Sequence, residues 1–508
     1  MDSFGFYLAV ITLLTYLVVR SIYRLFFHPL HKIPGPKLAA VTHLYEFYYD
    51  VVRGGRYMFK IEKMHEDYGP IVRINPREIH SIAPDFYDEI YASSTRKRDK
   101  DPPSAQFSGL LTSLLATVDH DLHKFRRGIL KGFFSKRSIL NLSHFVDEKV
   151  QKLGRRLEKY HNNQTVVRLD DAFAALTSDV ITHYCYGKSW DFLDDENFRN
   201  DIRASVRDIQ ARVHLQRFFP IIYHVLRMLP LWIFQLVSPG ISAIFENQKA
   251  IFEQSRRSLH GKKYDIGHDD PEGKHSTIYD QMMDPSVPAQ ERSLQRLQDE
   301  GTVLLAAGTE TTTRALAMAM FYLTRDHETR TRLRDELKGI MPTSSSTTTW
   351  SELEQLPYMT GVVNEALRLG GVTTFRFARI APTETLYYNE HVIPPGTPMS
   401  SSSYLIHHNA TIFPEPERFS PERWISADQH GEHLTKYLTS FTHGSRMCLG
   451  MHLAYVEIYL TLAYLVRRLD FELVNTTTED MKVTRDIALP QTERGPPTVY
   501  ARVVGVQD

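Results

Sequence analysis

Apolar and polar positions follow three different rhythms along this chain. From Phe4 to Val19 almost every position is apolar, and Ser3 and Ser21-Ile22 can extend the run toward the ~20 residues that a membrane-crossing helix needs. The run begins behind Asp2 and continues into Tyr23-Arg-Leu-Phe-Phe without a small-residue cleavage site, so it reads as a retained anchor and not a cleaved leader. Arg20, Arg24, Lys32 and Lys37 follow it, no basic side chain precedes it, and this asymmetry puts everything downstream on the cytoplasmic side. Ile33-Pro-Gly-Pro-Lys37 cannot be helical and reads as a stiff hinge that lifts a soluble domain off the membrane. The expected organisation is residues 1–27 as anchor, 28–37 as hinge and 38–508 as one large domain. A buried N-terminal core helix is the competing reading, and the proline-rich break argues against it.

Beyond the hinge the periods shorten. Phe59 to Tyr68 has helical spacing, and the alternating stretches Ile71 to Asn75 and Glu78 to Ile82 predict two short strands turned about Pro76. Arg98 to Ser104, charged and proline-broken, reads as loop, and a helix is expected within His120 to Ser138. Several helical segments fall between Asp170 and Leu236. Of these, His214 to Trp232, with Pro220 and Pro230, could roof a pocket, dip into a membrane surface or simply pack as core. His260 to Glu291 is polar and reads as a surface loop.

The longest helix pattern spans Leu294 to Thr324, and Ala307-Gly-Thr-Glu-Thr-Thr312 interrupts it. Gly308 costs roughly 1 kcal/mol against alanine in a helix interior. Thr311 can turn its hydroxyl back to the Ala307 carbonyl and bend the backbone, so a local widening is expected there; a capping box at a new helix start is the alternative. Helices at Pro357 to Gly370 and Leu449 to Val466 flank an extended segment, Gly371 to Ile380.

Composition narrows the function. Lys plus Arg and Asp plus Glu number 60 each, so nothing points to a nucleic-acid partner. There are two cysteines, Cys185 and Cys448, too few for a disulfide scaffold. Cys185 lies in an aromatic stretch and reads as core. Cys448 stands at the head of a predicted helix, where the dipole favours a negative sulfur, with Arg446 two residues before it. A thiolate is a nucleophile or a metal ligand. No histidine–acid arrangement accompanies it, which favours the ligand; an inert cysteine in a turn is the bland alternative.

Phe441, Gly444, Arg446, Cys448 and Gly450 match, position for position, the haem-binding loop of the cytochrome P-450 superfamily, and the chain is identified as resembling its fungal microsomal members. The resemblance implies the superfamily's fold, mainly α with a small β region, and a haem held by the Cys448 thiolate, an axial ligand that favours O–O cleavage. Gly444 and Gly450 would let backbone approach the flat macrocycle, Arg446 would fork onto a propionate, and Phe441 would shield the sulfur. Further propionate contacts carry over to His123 and Arg127, four apart on one helix face, and to Arg379.

The superfamily's oxygen motif falls on Gly308, Glu310 and Thr311, with Thr311 positioning and donating a proton that Glu310 feeds in. Its structural triad falls on Glu365, Arg368 and Arg423. Two Pro-Glu-Arg-aromatic strings compete for the last member, and register selects Arg423 over Arg418. Val372, Thr373, Thr374 and Phe375, with Leu304, Ala307 and Ala488, are expected to line the substrate pocket.

The activity implied is insertion of one oxygen atom from O2 into an apolar small molecule, a terpenoid or polyketide of fungal secondary metabolism resembling the substrates of trichodiene-type oxygenases. No Gly-x-Gly-x-x-Gly fingerprint or flavin region is present, so electrons should come from NADPH through a separate flavoprotein, an NADPH-cytochrome reductase. Basic residues around His120 to Ser138 offer it a docking face. The expected location is the endoplasmic reticulum membrane, single-pass, with the catalytic domain in the cytoplasm. A haem-thiolate isomerase or dehydratase and a non-enzymatic haem-binding protein remain as alternatives.

Overall fold

The computed structural model describes residues 3–507 apart from 106, 108, 199–202, 204–205, 208–209, 220–240, 261–276 and 372. Val372, most of the expected roof stretch (including Pro220, Pro230 and Trp232) and the middle of the 260–291 stretch therefore lie outside the described residues. The fold is mainly helical with small sheets, as the resemblance implies.

Leu294–Arg325 is the central element, 32 residues long. It starts where the Ser293 hydroxyl accepts the Arg296 N–H, and Asp326 stops it while its carboxylate caps the next helix, His327–Lys338. The widening expected at 307–312 is absent: the helix stays α-helical throughout. Gly308 answers to packing instead. A Cβ there would come to 2.8 Å from Cγ1 of Ile181 on the neighbouring helix Leu169–Tyr186. Small residues let those two helices close on each other, and Thr177 Oγ1 donates to the Thr309 carbonyl (3.0 Å) across the contact. All of Leu169–Tyr186 but Asp171 is buried, Cys185 included.

Around this pair, Lys136–Asn163 buries Ile139, Leu142, Val146, Val150, Leu153 and Leu157, the three-and-four spacing of one helix face. Met451–Arg468 packs against both Lys136–Asn163 and the central helix. Each fully buried leucine contributes about 1.5–3 kcal/mol relative to exposure, so this shared core anchors the loop that ends at Gly450.

A five-stranded sheet closes the other side. Its spatial order is Ile71–Arg73, Ile79–Ser81, Pro398–Ser400, Arg379–Ile380 and Asp99–Lys100. The first two form the expected antiparallel hairpin, Ile71 opposite Ser81. The last pair sets Lys100 directly across from Arg379. Arg98 to Ser104 is therefore not simply loop: two of its residues are a strand and Pro102–Ala105 is a helical turn. The polar 260–291 stretch likewise holds a buried turn, Ile278–Met282, started by a Thr277–Asp280 capping box.

At the N-terminus, Ser3–Ile22 is an α-helix continued by a π-helical turn, Tyr23–Phe27. Phe4–Phe27 is long and apolar enough to cross a membrane, with mean hydropathy 1.8 and nothing packed over it. The hinge is not free-standing. Leu30 and Ile33 are buried with Ile71 and Ile79, Arg73 N donates to the Pro34 carbonyl (2.7 Å), and a Cβ on Gly35 would strike the Arg73 carbonyl oxygen at 2.5 Å. Arg24 reaches the Val41 carbonyl, and Arg73 Nη1 donates to the Arg24 carbonyl (2.8 Å). Proline stiffness allows the chain to lie straight, and burial of the two apolar side chains holds it down.

Candidate functional site

The Cys448 loop is built by its own backbone. Cys448 N donates to the Phe441 carbonyl (2.8 Å), and Gly444–Arg446 forms one 3-10 turn. Gly444 has φ +73°, and a Cβ there would come to 2.1 and 2.2 Å from the Tyr91 and Ala92 carbonyl oxygens. The protein behind the loop by itself already requires glycine there. Gly450 caps Met451–Arg468 and would have open space beside a Cβ. Phe441 packs against Tyr455 with ring centroids 5.1 Å apart.

Cys448 presents accessible surface although protein surrounds it, the signature of a side chain at the bottom of a recess. Burial pushes its thiol up; the Gly450 N–H and the Arg127 charge pull the other way.

Beside the loop lies a bank of basic groups. Lys100, His123, Arg379 and Arg446 are buried, and Arg127 joins them by donating to the Met447 carbonyl (2.7 Å). Desolvation lowers all five pKa values, Arg446 to about 9 and Lys100 well below the ordinary lysine value, and mutual repulsion adds to the fall for Lys100, His123 and Arg446. Among the described residues none of the five forms an ion pair. Arg446 gives Nε to the Arg98 carbonyl (3.1 Å), Nη1 to Thr117 (2.7 Å) and Nη2 to Val118 (2.6 Å). Three of its five N–H groups thus stitch the loop to the 98–118 segment, where the motif had suggested a fork onto a carboxylate, and two remain. Sequence reasoning missed Lys100. Its only signal was a run of six charged residues, Arg96 to Asp101, before two prolines, while the cross-strand partnership with Arg379 is a matter of topology.

On the central helix Thr311 Oγ1 donates to the Ala307 carbonyl (2.8 Å), as the spacing predicts. Val303, Ala307 and Thr311 form a stripe less covered than the buried Leu304, Leu305, Thr309, Glu310 and Thr312 around it. Glu310 points elsewhere: its Oε1 accepts from Arg203 Nε (2.9 Å), and Arg203 also holds Asp170 (2.6 Å) and Asp171. The acid is therefore clamped in a buried charge network, and Arg203 had no signature in the sequence.

Of the expected pocket residues, both threonines are engaged. Thr373 Oγ1 donates to the Ala488 carbonyl (3.2 Å) and Thr374 Oγ1 to Asp486 Oδ1 (2.7 Å), so their hydroxyl protons are committed to bracing the hairpin Arg485–Ile487/Leu489–Gln491. Ala488, at the hairpin tip, takes φ +75°, a strained conformation for a residue with a Cβ. Phe375, Ala488 and Val213 form one apolar cluster, with Phe107 at 4.8 Å from the Phe375 ring. Val213 and Phe107 were not foreseen.

Glu365 and Arg368 are fully buried and bidentate (2.7 and 2.9 Å). Arg423 Nε adds a third bond to Glu365 (3.1 Å), while Arg418 is 68% exposed and among the described residues pairs only with Glu415. Trp424 Nε1 (2.9 Å) and Ser420 N (3.0 Å) complete the carboxylate's shell, and neither was anticipated. Arg368 also donates to the carbonyls of His407, Pro416 and Arg418, pinning the segment that leads to the Cys448 loop.

A recessed sulfur next to five basic groups, four of them buried and none in an ion pair among the described residues, suits an iron macrocycle that brings its own two negative charges, which is the chemistry of a haem-thiolate protein. The chain belongs to the cytochrome P-450 family, whose sequence profile matches residues 34–495. It is 47% identical over 465 residues to conidiogenone synthase PchP450 of Penicillium rubens, covering 92% of each chain. It is 41% identical over 508 residues to the cytochrome P-450 monooxygenase aflU of Aspergillus parasiticus, covering both chains completely. To the cytochrome P-450 monooxygenase TRI4 of Fusarium sporotrichioides it is 42% identical over 478 residues, 94% of this chain and 91% of that one. The protein is a cytochrome P-450 monooxygenase, and its family works with haem iron held by a cysteine thiolate.

Proposed function

We propose that this protein inserts one oxygen atom from O2 into an apolar terpenoid or polyketide of fungal secondary metabolism, with Cys448 as the iron ligand. Haem, when bound, supplies dioxygen activation; the chain supplies everything that positions it. Lys100, His123, Arg127, Arg379 and the two remaining N–H groups of Arg446 hold the propionates. The Gly450 N–H and Arg127 stabilise negative charge on the sulfur, and Phe441 shields it. Thr311 carries the proton at its Oγ1, and Glu310 reloads it once Arg203 lets go.

The observation that carries this reading is the bank of basic groups, none of them in an ion pair among the described residues, beside the recessed Cys448. An apolar substrate is supported by Phe107, Val213, Phe375 and Ala488, and by the engagement of Thr373 and Thr374. The relative named for making conidiogenone supports a secondary metabolite as product. Electrons reach the site from NADPH through a separate membrane-bound NADPH-cytochrome reductase. Anchoring in the endoplasmic reticulum, catalytic domain in the cytoplasm, is supported by Phe4–Phe27 and the basic residues after it.

The test is spectroscopic. Reduced protein under carbon monoxide should give the red-shifted band of sulfur ligation, and Cys448→Ala should abolish it without loss of the helical signature. Reductase, NADPH and 18O2 should then put single labelled oxygens into extract components. A band that survives Cys448→Ala would refute the ligand assignment. Turnover without NADPH and O2 would refute oxygenation and favour an isomerase.

A further inference from the structure

The Pro-Glu-Arg-aromatic string at Pro416 to Phe419, which lends the buried triad no side chain, borders a cleft of 230 Å3 on the flank of the central helix. A single water needs only ~10–15 Å3. Met318 and Tyr322, four apart on one face of the central helix, form one wall, and Leu369, Tyr404, Met481 and Val483 close the cleft from three other segments. All of these but Tyr322 are buried, so the interior is apolar. Met318 and Tyr322 lie two and three turns beyond Thr311, roughly 10–16 Å along the helix axis. The cleft shares no lining residue with the thiolate loop, the basic bank or the Phe375–Ala488 cluster.

Its two ring walls are braced from behind. Tyr322 stacks on Phe419, with centroids 4.7 Å apart and planes 15° from parallel. Tyr404 stacks on His408 (4.0 Å, 26°) and takes Phe59 edge-on at 5.8 Å. Walls fixed in this way lose little freedom when a flat ring settles on them, and the two thioethers beside them suit the same guest. The mouth is charged. Glu417 and Glu479 stand exposed on it, neither in an ion pair among the described residues, and Lys482 on the same rim offsets one of them. Burial raises the pKa values of Tyr404, Tyr322 and Glu62, and the Glu417 charge adds to each rise, so its field reaches across the opening. Arg325 opposes it at Tyr322. Glu62 and Arg325 thus add one charge of each sign, and the rim keeps one negative charge in excess.

We propose that this cleft is a second small-molecule site that takes an apolar aromatic cation, with its rings against Tyr322 and Tyr404 and its ammonium at the mouth beside Glu417 and Glu479. A cation there is attracted by the tyrosine faces as well as by the carboxylates. An anion is repelled by both, and a neutral hydrocarbon leaves the charge of the mouth unmatched. The site uses no group that holds haem, so it stands apart from the monooxygenase reading.

The probe is (1-naphthylmethyl)trimethylammonium, whose quaternary nitrogen has no lone pair to offer iron. Equilibrium dialysis against full-length, haem-loaded protein in nanodiscs should show saturable binding that survives saturating 4-phenylimidazole on the iron. The double variant Glu417→Gln/Glu479→Gln, at two exposed positions, should weaken binding at least fivefold, and Tyr322→Leu should do the same, both with an unchanged carbon-monoxide band. 1-Naphthylacetate, with the same rings and the opposite charge, should bind at least tenfold more weakly. Lipid and anchor are identical in every variant, so partition into the bilayer cancels from the comparison. Absence of saturable binding would overturn the site, as would displacement by 4-phenylimidazole, unchanged affinity in either variant, or equal binding of naphthylacetate. Failure of the monooxygenase reading would appear separately, as absence of the sulfur-ligated carbon-monoxide band with probe binding intact.

Discussion

Glu365→Gln offers the sharpest test of how the thiolate loop is held. In the native protein both oxygens of this fully buried carboxylate are used: Arg368 Nε and Nη2, Arg423 Nε, Trp424 Nε1 and Ser420 N all donate to it. Glutamine keeps the volume but removes the charge and turns one acceptor into a donor facing guanidinium. Arg368, equally buried, is then left without its counterion, since its other contacts are neutral carbonyls. Breaking a buried pair by removing one partner costs about 3–5 kcal/mol. Against a typical total stability of about 5–15 kcal/mol, that would unfold a sizeable fraction of the protein or free the loop from its support. Denaturant titration followed by far-UV dichroism, alongside the carbon-monoxide difference spectrum, measures both effects. A parallel Arg418→Ala variant should match wild type because that side chain is exposed and pairs only with its neighbour. A Glu365→Gln loss below ~1 kcal/mol, less than the ordinary worth of a few hydrogen bonds, or an equal effect of Arg418→Ala, would refute the assignment of Arg423 and the buried-charge argument together.

Three further outcomes follow from the geometry. Lys100→Gln should lower haem retention on gel filtration by several-fold while leaving the apoprotein at least as stable, because it removes a buried like charge from beside Arg379 and Arg446. Thr311→Ala should shift NADPH-derived electrons from product to hydrogen peroxide, read as the peroxide-to-product ratio, whereas unchanged coupling would remove the hydroxyl from proton delivery. His65, bonded to His80 (2.7 Å), has its pKa lowered by burial to about 4 from 6.5. The folded state therefore binds fewer protons than the unfolded chain across that window, and stability falls as pH drops from 6.5 through 4, by about 3 kcal/mol for this group. A His65→Asn variant should lose correspondingly less between pH 7 and pH 4 in thermal melts.

What the sequence disclosed was whatever is local. The Cys448 loop is ten consecutive residues whose glycine, arginine and sulfur positions carry their own geometry, and Thr311 to Ala307 is a single turn of helix. Glu365 and Arg368 share a face by spacing alone, and the Phe419-Ser-Pro-Glu-Arg423 register separated Arg423 from Arg418. The remainder depends on which distant segments meet. Asp99–Lys100 and Arg379–Ile380 are two-residue strands with no period to detect, yet they place two of the five basic groups side by side. Arg203 reaches Glu310 from a different element, and a Cβ on Gly308 or Gly444 would clash with Ile181 or with the Tyr91 and Ala92 carbonyls, contacts that no local spacing announces. The docked hinge was misread for a related reason: proline content reports stiffness, but only the partners of Leu30 and Ile33 report where the stiff piece lies.

The packing of that proline segment decides where the protein can be cut. A soluble version that begins after Lys37 would strip Leu30 and Ile33 from their seats and expose Ile71 and Ile79 to water. Starting at His28 instead keeps both seats filled, although Arg73 then gives up one carbonyl acceptor, that of Arg24. The folded body thus begins structurally some ten residues before its apparent linker ends, and the proline segment joins the N-terminal helix to it as a bracket and not as a tether.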